Sequence, residues 1–217
     1  MTDDLMKVTV LATHTIANVS ETLAKKLDLP DGHRSIGILT TDCDDATYCA
    51  LDEATKTAAV EVVYGRSLYA GAANASTKYA GEVIGILAGP TPAEVQSGLK
   101  AAVDFLESGV GFRSANADDS VVYFAYTVSR TGSYLSKTAG VAEGEALAYL
   151  IAPPLESVVG LDEAMKAADV ELVALFEPPS ETNFGGGLLT GTQSACRAAC
   201  AAFAAAVKDA AARPREV

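Results

Sequence analysis

The sequence has no tryptophan, only two histidines and few aromatic side chains, which make up 6% of its 217 residues. Neither His14 nor His33 stands in an HExxH zinc motif, and no GxSxG nucleophile motif occurs. The small-residue segment GAANAS lacks the Lys-Ser or Lys-Thr that ends a phosphate-binding loop. Because no concentrated set of acid, base and nucleophile is present, we predict that the chain is not an enzyme.

Basic residues are also scarce. Lysine and arginine number 16 against 28 aspartates and glutamates, so the formal net charge is −12. A protein that binds nucleic acid or an anionic membrane needs a basic surface, so neither is an expected partner. The N-terminus, MTDDLMKVTV, shows no basic-then-apolar signal pattern, and no apolar run is long enough to cross a bilayer. We therefore expect a soluble cytoplasmic protein.

The four cysteines form no CxxC motif; they are Cys43, Cys49, Cys196 and Cys200. Cys196 and Cys200 share a helix face at i,i+4 spacing, which suits metal chelation. No further thiol or imidazole lies near them in the sequence, so buried apolar packing is the favoured interpretation. We expect no metal site and no cofactor.

An internal repeat organises the chain. Residues 51–63 (LDEATKTAAVEVV) and 161–173 (LDEAMKAADVELV) are identical at nine of thirteen positions with an offset of 110. Upstream, the segment around Leu23-Ala24-Lys25 matches Leu135-Ser136-Lys137 at an offset of 112, and downstream Gly85–Gly89 matches Gly187–Gly191 at an offset of 102. The chain is therefore predicted to contain two copies of one domain, residues 1–110 and 111–217, joined within the polar stretch Glu107–Ser120.

Each copy shows the same order of predicted elements, with strands alternating with helices. The paired segments are an opening strand (Val8–Leu11; Val121–Tyr126), a short helix or turn (Ser20–Leu27; Tyr134–Thr138), a second strand (Ser35–Thr40; Ala146–Ile151) and a later glycine-rich strand (Val83–Leu87; Gly187–Leu189). The LDEA segment is predicted to be a helix, with the i,i+4 pair Asp52 and Lys56 repeated as Asp162 and Lys166. A last helix closes each copy, and the second spans Ala195–Ala212. Thr91, Pro92 and Glu94 predict a capping box at the start of the first closing helix. The fold class is α/β, an α+β sandwich with helices on one face of a small sheet.

The sequence resembles the bacterial microcompartment shell domain. The resemblance is carried by ALAYLIAPPLESVVGLDEAMKAADVELV and by GGGLLTGTQSACRAACAAF, which hold the apolar strand, the D-x-x-x-K-A-A-x-V-E-L-V helix and the glycine-rich strand of that family. About 40 residues precede the LDEA helix in each copy, which matches the circularly permuted members. Further stretches, among them DCDDATY and SRTGSYLSKTAG, are similar to the ethanolamine-utilization members, and the resemblance covers essentially the whole chain.

The resemblance implies two ferredoxin-like, circularly permuted domains and a homotrimer that imitates a hexagon. It implies that these trimers tile with other microcompartment shell proteins into the shell of an ethanolamine-degrading organelle in the bacterial cytoplasm. Gated pores in the trimers would carry a metabolite or cofactor. An amine-sensing regulatory module and a shell protein of a different catabolic microcompartment remain as alternatives.

The resemblance also implies a small acidic pore in each subunit that binds ethanolamine. The matching residues are Asp44, Asp45, Glu82, Phe112, Glu156, Glu181 and Thr182. Carboxylates and an aromatic face suit an ammonium group. The residues come from both copies, so the expected site lies at the domain junction. In the alternative interpretation, Asp44 or Asp45 caps the following helix and each glutamate is a solvated surface charge. Arg113 would neutralise part of the acidic cluster.

Two loops rich in small residues, Tyr69–Lys78 and Pro178–Gly187, match the gate of the family's central pore. Glycine would let these loops change conformation at little steric cost. The residues assigned to the gate are Tyr69, Ala70, Gly71, Asn74, Asn183, Phe184 and Gly185.

Overall fold

A computed structural model describes residues 3–67, 83–178 and 183–215. The strands are β1 (Val10–Ile16), β2 (Ser35–Thr41), β3 (Glu61–Ser67), β4 (Val83–Gly89), β5 (Arg113–Ser114), β6 (Val122–Val128), β7 (Ala146–Ala152), β8 (Val170–Phe176) and β9 (Gly185–Gly191). The helices are α1 (Glu21–Lys26), α2 (Asp44–Thr57), α3 (Pro92–Glu107), α4 (Ser133–Ala139), α5 (Pro154–Ala167) and α6 (Gln193–Ala212).

The chain forms two compact units. The N-terminal unit contains Val8–Val110 and, from further along the chain, Gly132–Leu135. The C-terminal unit contains Gly111–Thr131, the chain from Ser136 onward and the residues up to Lys7. The boundary between the two units thus falls between residues 110 and 111. Two short segments are exceptions: the residues up to Lys7 belong to the C-terminal unit, and Gly132–Leu135 belongs to the N-terminal unit.

The sheet of the N-terminal unit has the order β1-β2-β4-β3, and every pair of neighbours is antiparallel. Helices α2 and α3 pack against each other and against this sheet. Side chains of β2 alternate between the two faces of the sheet. A Cβ added to Gly37 would lie 2.6 Å from Val95 of α3, whereas Ile36 packs with Val19 in a separate apolar cluster.

The sheet of the C-terminal unit has the order β5-β6-β7-β9-β8 and is also antiparallel. On one face, Ala148 and Leu150 of β7 pack with Phe203 of α6. On the other face, Tyr149 meets Phe124 edge to face, with ring centroids 5.4 Å apart. The predicted tandem α/β sandwich is confirmed, since the long helices of each unit pack against one antiparallel sheet.

The two units repeat the same elements at the spacings found in the sequence. Helix α4 begins 112 residues after α1, α5 begins 110 residues after α2, and β9 begins 102 residues after β4. The internal repeat found in the sequence therefore also appears in the order and spacing of the helices and strands. Among the residues described, none of the helices has the length and apolar character needed to cross a membrane.

Side-chain caps fix the start of both closing helices. The Thr91 hydroxyl accepts a hydrogen bond from the Glu94 amide at 3.2 Å, as predicted. The second half of the predicted capping box is wrong, because the Glu94 carboxylate accepts from the Ala59 amide at 2.8 Å. Helix α6 begins earlier than the predicted Ala195, because Thr192 caps it through the Ala195 amide.

Candidate functional site

Two buried aspartates begin α2. Asp44 and Asp45 occupy the first turn of the helix, where a carboxylate is stabilised by the helix dipole. Neither is the N-cap: Cys43 holds that position and its side chain makes no capping bond. The Asp44 carboxylate accepts from the Asp45 amide at 3.0 Å. The interpretation of either aspartate as the helix cap is therefore wrong, since both lie inside the helix.

The Asp44 carboxylate is linked to Tyr48 through a serine. The Tyr48 hydroxyl donates to the Ser67 hydroxyl at 3.4 Å, and the Ser67 side chain is hydrogen-bonded to Asp44. Tyr48 lies one helical turn after Asp44, and Ser67 ends strand β3, so both elements of the N-terminal unit contribute. These three side chains form a polar chain that ends on a buried acid.

Burial controls the protonation of this chain. Loss of water raises the pKa of the Asp44 carboxyl, and the hydrogen bonds from Asp45 and Ser67 offset only part of this effect. Burial likewise raises the pKa of Tyr48, so its hydroxyl stays neutral and remains a donor. A cation bound beside Asp44 would act in the opposite direction, since an opposite charge stabilises the carboxylate.

A tyrosine pair lies beside the acidic turn. The rings of Tyr48 and Tyr134 are 6.3 Å apart and inclined by 49°. Glycine at position 65 makes room for this pair, since an added Cβ would lie 2.7 Å from the Tyr134 hydroxyl oxygen. Burial raises the pKa of Tyr134 to about 12, so this phenol also stays neutral. Carboxyl groups next to neutral aromatic rings can hold a small organic cation.

A third buried aspartate in the N-terminal unit, Asp52, binds backbone amides. The Asp52 side chain accepts from the amides of Gly132 and Leu135, each at 2.8 Å. Thr55, one turn later, accepts from the Ser133 amide at 3.1 Å. These bonds satisfy the free N–H groups at the start of α4. The predicted Asp52–Lys56 pair is present at 3.5 Å, but its aspartate also serves as the cap of another helix.

Gly132 is required by this packing. A Cβ at that position would lie 2.2 Å from the Thr55 hydroxyl oxygen and 2.7 Å from the Asp52 carbonyl oxygen. Because the carbonyl belongs to the backbone of α2, it cannot move aside as a side chain would. The close approach of Gly132 to α2 therefore depends on the absence of a side chain.

The remaining predicted ligand residues are partly described. Phe112 is buried in the C-terminal unit, between Phe124 at 5.6 Å and Phe184 at 5.4 Å. Glu156 is half-buried in the first turn of α5. Glu82, Glu181 and Thr182 lie outside the described residues.

Arg113 has a partner within its own unit. Its guanidinium donates to the Asp3 carbonyl oxygen at 3.0 Å. The Asp3 carboxylate accepts from Tyr123 at 2.6 Å and from Lys208 at 2.9 Å. These bonds fix the N-terminal segment to the C-terminal unit, which explains why residues up to Lys7 belong there.

The predicted gate residues fall into two groups. Asn183 is exposed with φ of +66°, Phe184 packs on Phe112, and Gly185 is the first residue of β9, opposite Ala152. The other gate positions, Tyr69, Ala70, Gly71 and Asn74, lie outside the described residues.

The described residues contain no group of three or more histidine, cysteine or acidic side chains arranged to hold a metal ion. The four cysteines are buried as free thiols. Burial raises the pKa of each of these thiols, which keeps them protonated and unreactive.

A surface cavity of about 800 Å³ lies beside α1. Its lining includes the cations Lys25 and Arg34 and the acids Glu21, Asp28 and Asp31. Because both signs are present, the cavity does not select a ligand by charge.

Sequence reasoning missed Tyr48, Ser67 and Tyr134. A signal for Tyr48 was available, because it follows Asp44 by four residues and therefore shares its helix face. Ser67 and Tyr134 are distant in sequence from α2, and only the folded chain brings them to it.

Comparisons with known proteins give a consistent result. Residues 35–116 match the family model described as the BMC domain. The chain is 66% identical over 214 residues to the bacterial microcompartment shell protein EutL of Clostridium perfringens (strain 13 / Type A), covering 99% of both chains.

Solved structures agree with this result. The crystal structure of the ethanolamine utilization protein EutL from Leptotrichia buccalis C-1013-b superposes with a TM-score of 0.96 at 68% identity, over 100% of both chains. A trimeric shell protein, PduB, shares the fold at 21% identity and a TM-score of 0.76, covering 94% of this chain and 89% of that one.

Proposed function

Because this chain belongs to the family of bacterial microcompartment shell proteins, we propose that it is a structural component of the shell of an ethanolamine-utilization microcompartment and not an enzyme. The observation that carries this proposal is the 66% identity to a named shell protein across 99% of both chains. The repeated units add physical support, since a chain of two similar units suits a layer built on a hexagonal plan.

The proposed building block is a homotrimer. Three chains with two similar units each provide six similar wedges around one axis, so the trimer imitates a hexamer. Trimers of this kind would tile with one another and with other shell proteins. The loops Tyr69–Lys78 and Pro178–Gly187 would surround the axis and gate a central pore for a metabolite or cofactor.

Ethanolamine is the proposed ligand of the acidic turn of α2. Its ammonium group would be held by Asp44 or Asp45 together with Glu82, while Phe112, Glu156, Glu181 and Thr182 complete the proposed pore. The buried carboxyl of Asp44 and the neutral rings of Tyr48 and Tyr134 support this choice, because they favour a small cation over an anion. Binding that prefers one loop conformation would then shift the gate.

Electron microscopy of the purified protein tests the shell function. We expect two-dimensional sheets with hexagonal packing at high protein concentration and a light-scattering mass of three times 22.3 kDa at low concentration. An amine-sensing regulatory module would bind the amine but would form no sheets. A mass of one or two chains at all concentrations would contradict the trimer.

A further inference from the structure

The equivalent helices α2 and α5 differ in what covers them. At an offset of 110, Leu155 and Val158 of α5 correspond to Asp45 and Tyr48 of α2. The α2 residues are buried or half-buried, whereas Leu155 is 59% exposed and Val158 is 56% exposed. Val159, Asp162 and Met165 complete what we call the α5 face, and all of them are exposed. So many large apolar side chains on one exposed helix face indicate a binding surface.

Residues 132–135 cover the same face of α2. Asp52 binds the amides of Gly132 and Leu135, and the Tyr134 ring lies beside Tyr48. Asp52 corresponds to Asp162 of the α5 face. The α5 face therefore repeats the position of the capping carboxylate. Among the described residues of the isolated chain, Lys166 is the one ion-pair partner of Asp162, whose side chain is 57% exposed.

The segment equivalent to residues 132–135 is also uncovered. At the offset of 112, Gly132–Leu135 corresponds to Ser20–Leu23, which begins α1. Leu135 is only 1% exposed, whereas Leu23 is 41% exposed. One chain thus carries an exposed helix face and, elsewhere, an exposed copy of the segment that covers this face in its repeat.

We propose that the α5 face of one copy binds the segment Ser20–Leu23 of a second copy. Asp162 accepts a hydrogen bond from the Ser20 amide of that copy, as Asp52 does from the Gly132 amide. Leu23 of the second copy packs on Val158 and Val159. This inference rests on the trimer proposed above and specifies the contact that holds it together.

Charge complements the apolar contact. The Cγ atom of Lys56 lies 3.0 Å from the position of a Cβ on Gly132. Its equivalent, Lys166, therefore lies beside Ser20 and Glu21 of the second copy, where its ammonium group pairs with the Glu21 carboxylate. Such a pair at the rim of an interface favours the correct partner more than it adds affinity.

The contact between copies differs from its repeat in one respect. Ser20 replaces Gly132, and the Ser20 hydroxyl already accepts from the Leu23 amide at 3.4 Å. A Cβ at this place would meet the backbone of the facing helix if the approach were as close as at Gly132. The segment therefore lies further from α5, and the long side chain of Met165, which replaces Thr55, fills the additional space.

The geometry is head to tail, because the two surfaces differ. A contact of this type either closes into a ring or extends into a filament. In the proposed trimer, three identical contacts close the ring and leave neither surface exposed.

Light scattering on interface variants tests the contact. We expect Val158→Asp to shift the protein from three chains to one, and Asp162→Asn to weaken association at least tenfold at low protein concentration. Asp104→Asn is the matched control, since Asp104 is also 57% exposed and pairs with a lysine four residues away. Circular dichroism should show that all three variants remain folded. An unchanged mass for Val158→Asp in a wild type that is trimeric would overturn this contact and leave the trimer proposal intact.

Cross-linking gives a second, independent result. Thr22 and Val158 correspond to the neighbouring pair Tyr134 and Tyr48. We expect the double variant Thr22→Cys/Val158→Cys, treated with a short bifunctional maleimide, to give linked dimers and trimers on a denaturing gel. The native cysteines are buried, so the unmodified chain should give neither. Absence of linked chains in the double variant would contradict the proposal, and a wild type of single chains would overturn both this contact and the trimer.

Discussion

At the scale of the residue, Asp44 shows the conflict between stability and ligand binding. Its carboxyl is removed from water and its pKa is raised by that burial. Such a group contributes most to stability below the pKa of the unfolded chain, and this contribution is lost as pH rises through the folded pKa. A buried acid that opposes folding at neutral pH is typical of a functional position.

Removal of single carboxylates should weaken ethanolamine binding. A charged hydrogen bond contributes about 1.5–3 kcal/mol, so we expect at least a tenfold loss of affinity in Asp45→Asn and in Glu82→Gln. Isothermal titration calorimetry measures this loss, with Asp104→Asn as the control because its side chain is exposed on α3. Equal affinities in all variants, or no binding by the wild type at millimolar ethanolamine, would leave these acids with structural and surface roles.

The affinity for ethanolamine should fall in mild acid. The amine stays protonated there, whereas Asp44 takes up a proton at a pH above the usual 3.8, because burial raises its pKa. Binding therefore increases as pH rises through the raised pKa, while the stability of the free protein changes in the opposite direction. Calorimetry across this range should show a flatter profile for Asp44→Asn, and an identical profile for the variant would exclude Asp44 as the titrating group.

At the scale of the element, helix α2 supports a neighbouring helix, a role that its sequence motif does not predict. Its repeat motif predicts an i,i+4 pair with Lys56, but Asp52 is also buried and accepts hydrogen bonds from the amides of Gly132 and Leu135 at the start of α4. A short helix such as α4 has marginal stability by itself, so its geometry depends on this support.

Replacement of Asp52 should destabilise the fold. Asp52→Ala leaves the amides of Gly132 and Leu135 without an acceptor in a buried place, and we expect a loss of about 2–4 kcal/mol in the free energy of unfolding. Denaturant titration monitored by circular dichroism measures this value. Asp104→Ala removes an exposed acid of the same type and should change stability by less than about 0.5 kcal/mol. Similar values for the two variants would show that the Asp52 bonds contribute little.

At the scale of the whole molecule, the two loops rich in small residues should determine whether the pore is open. Crystals grown under different conditions should show different conformations of Tyr69–Lys78 and Pro178–Gly187, and ethanolamine should favour one of them. Diffraction from crystals with and without the amine is the measurement. The same conformation in all crystals, or loops far from the threefold axis, would contradict the proposed gate.

The sequence alone determined the tandem repeat, the order of elements and the family. The LDEA segments, the glycine-rich strands and the Thr91 cap depend on residues close in sequence, and local propensity and periodicity are sufficient to predict them. Most long helices and strands therefore lie within a few residues of their predicted positions, although β1 ends five residues beyond the predicted Leu11.

Only the tertiary structure decided which of two equivalent residues is buried. Asp52 and Asp162 stand in the same motif, yet one is enclosed by Gly132–Leu135 and the other is exposed. The same holds for Leu135 and Leu23. Burial depends on contacts between segments that are distant in sequence. These contacts cannot be predicted from the residues that neighbour each position in the chain. The link from Asp44 through Ser67 to Tyr48 was hidden for the same reason, because β3 meets α2 only when the chain is folded.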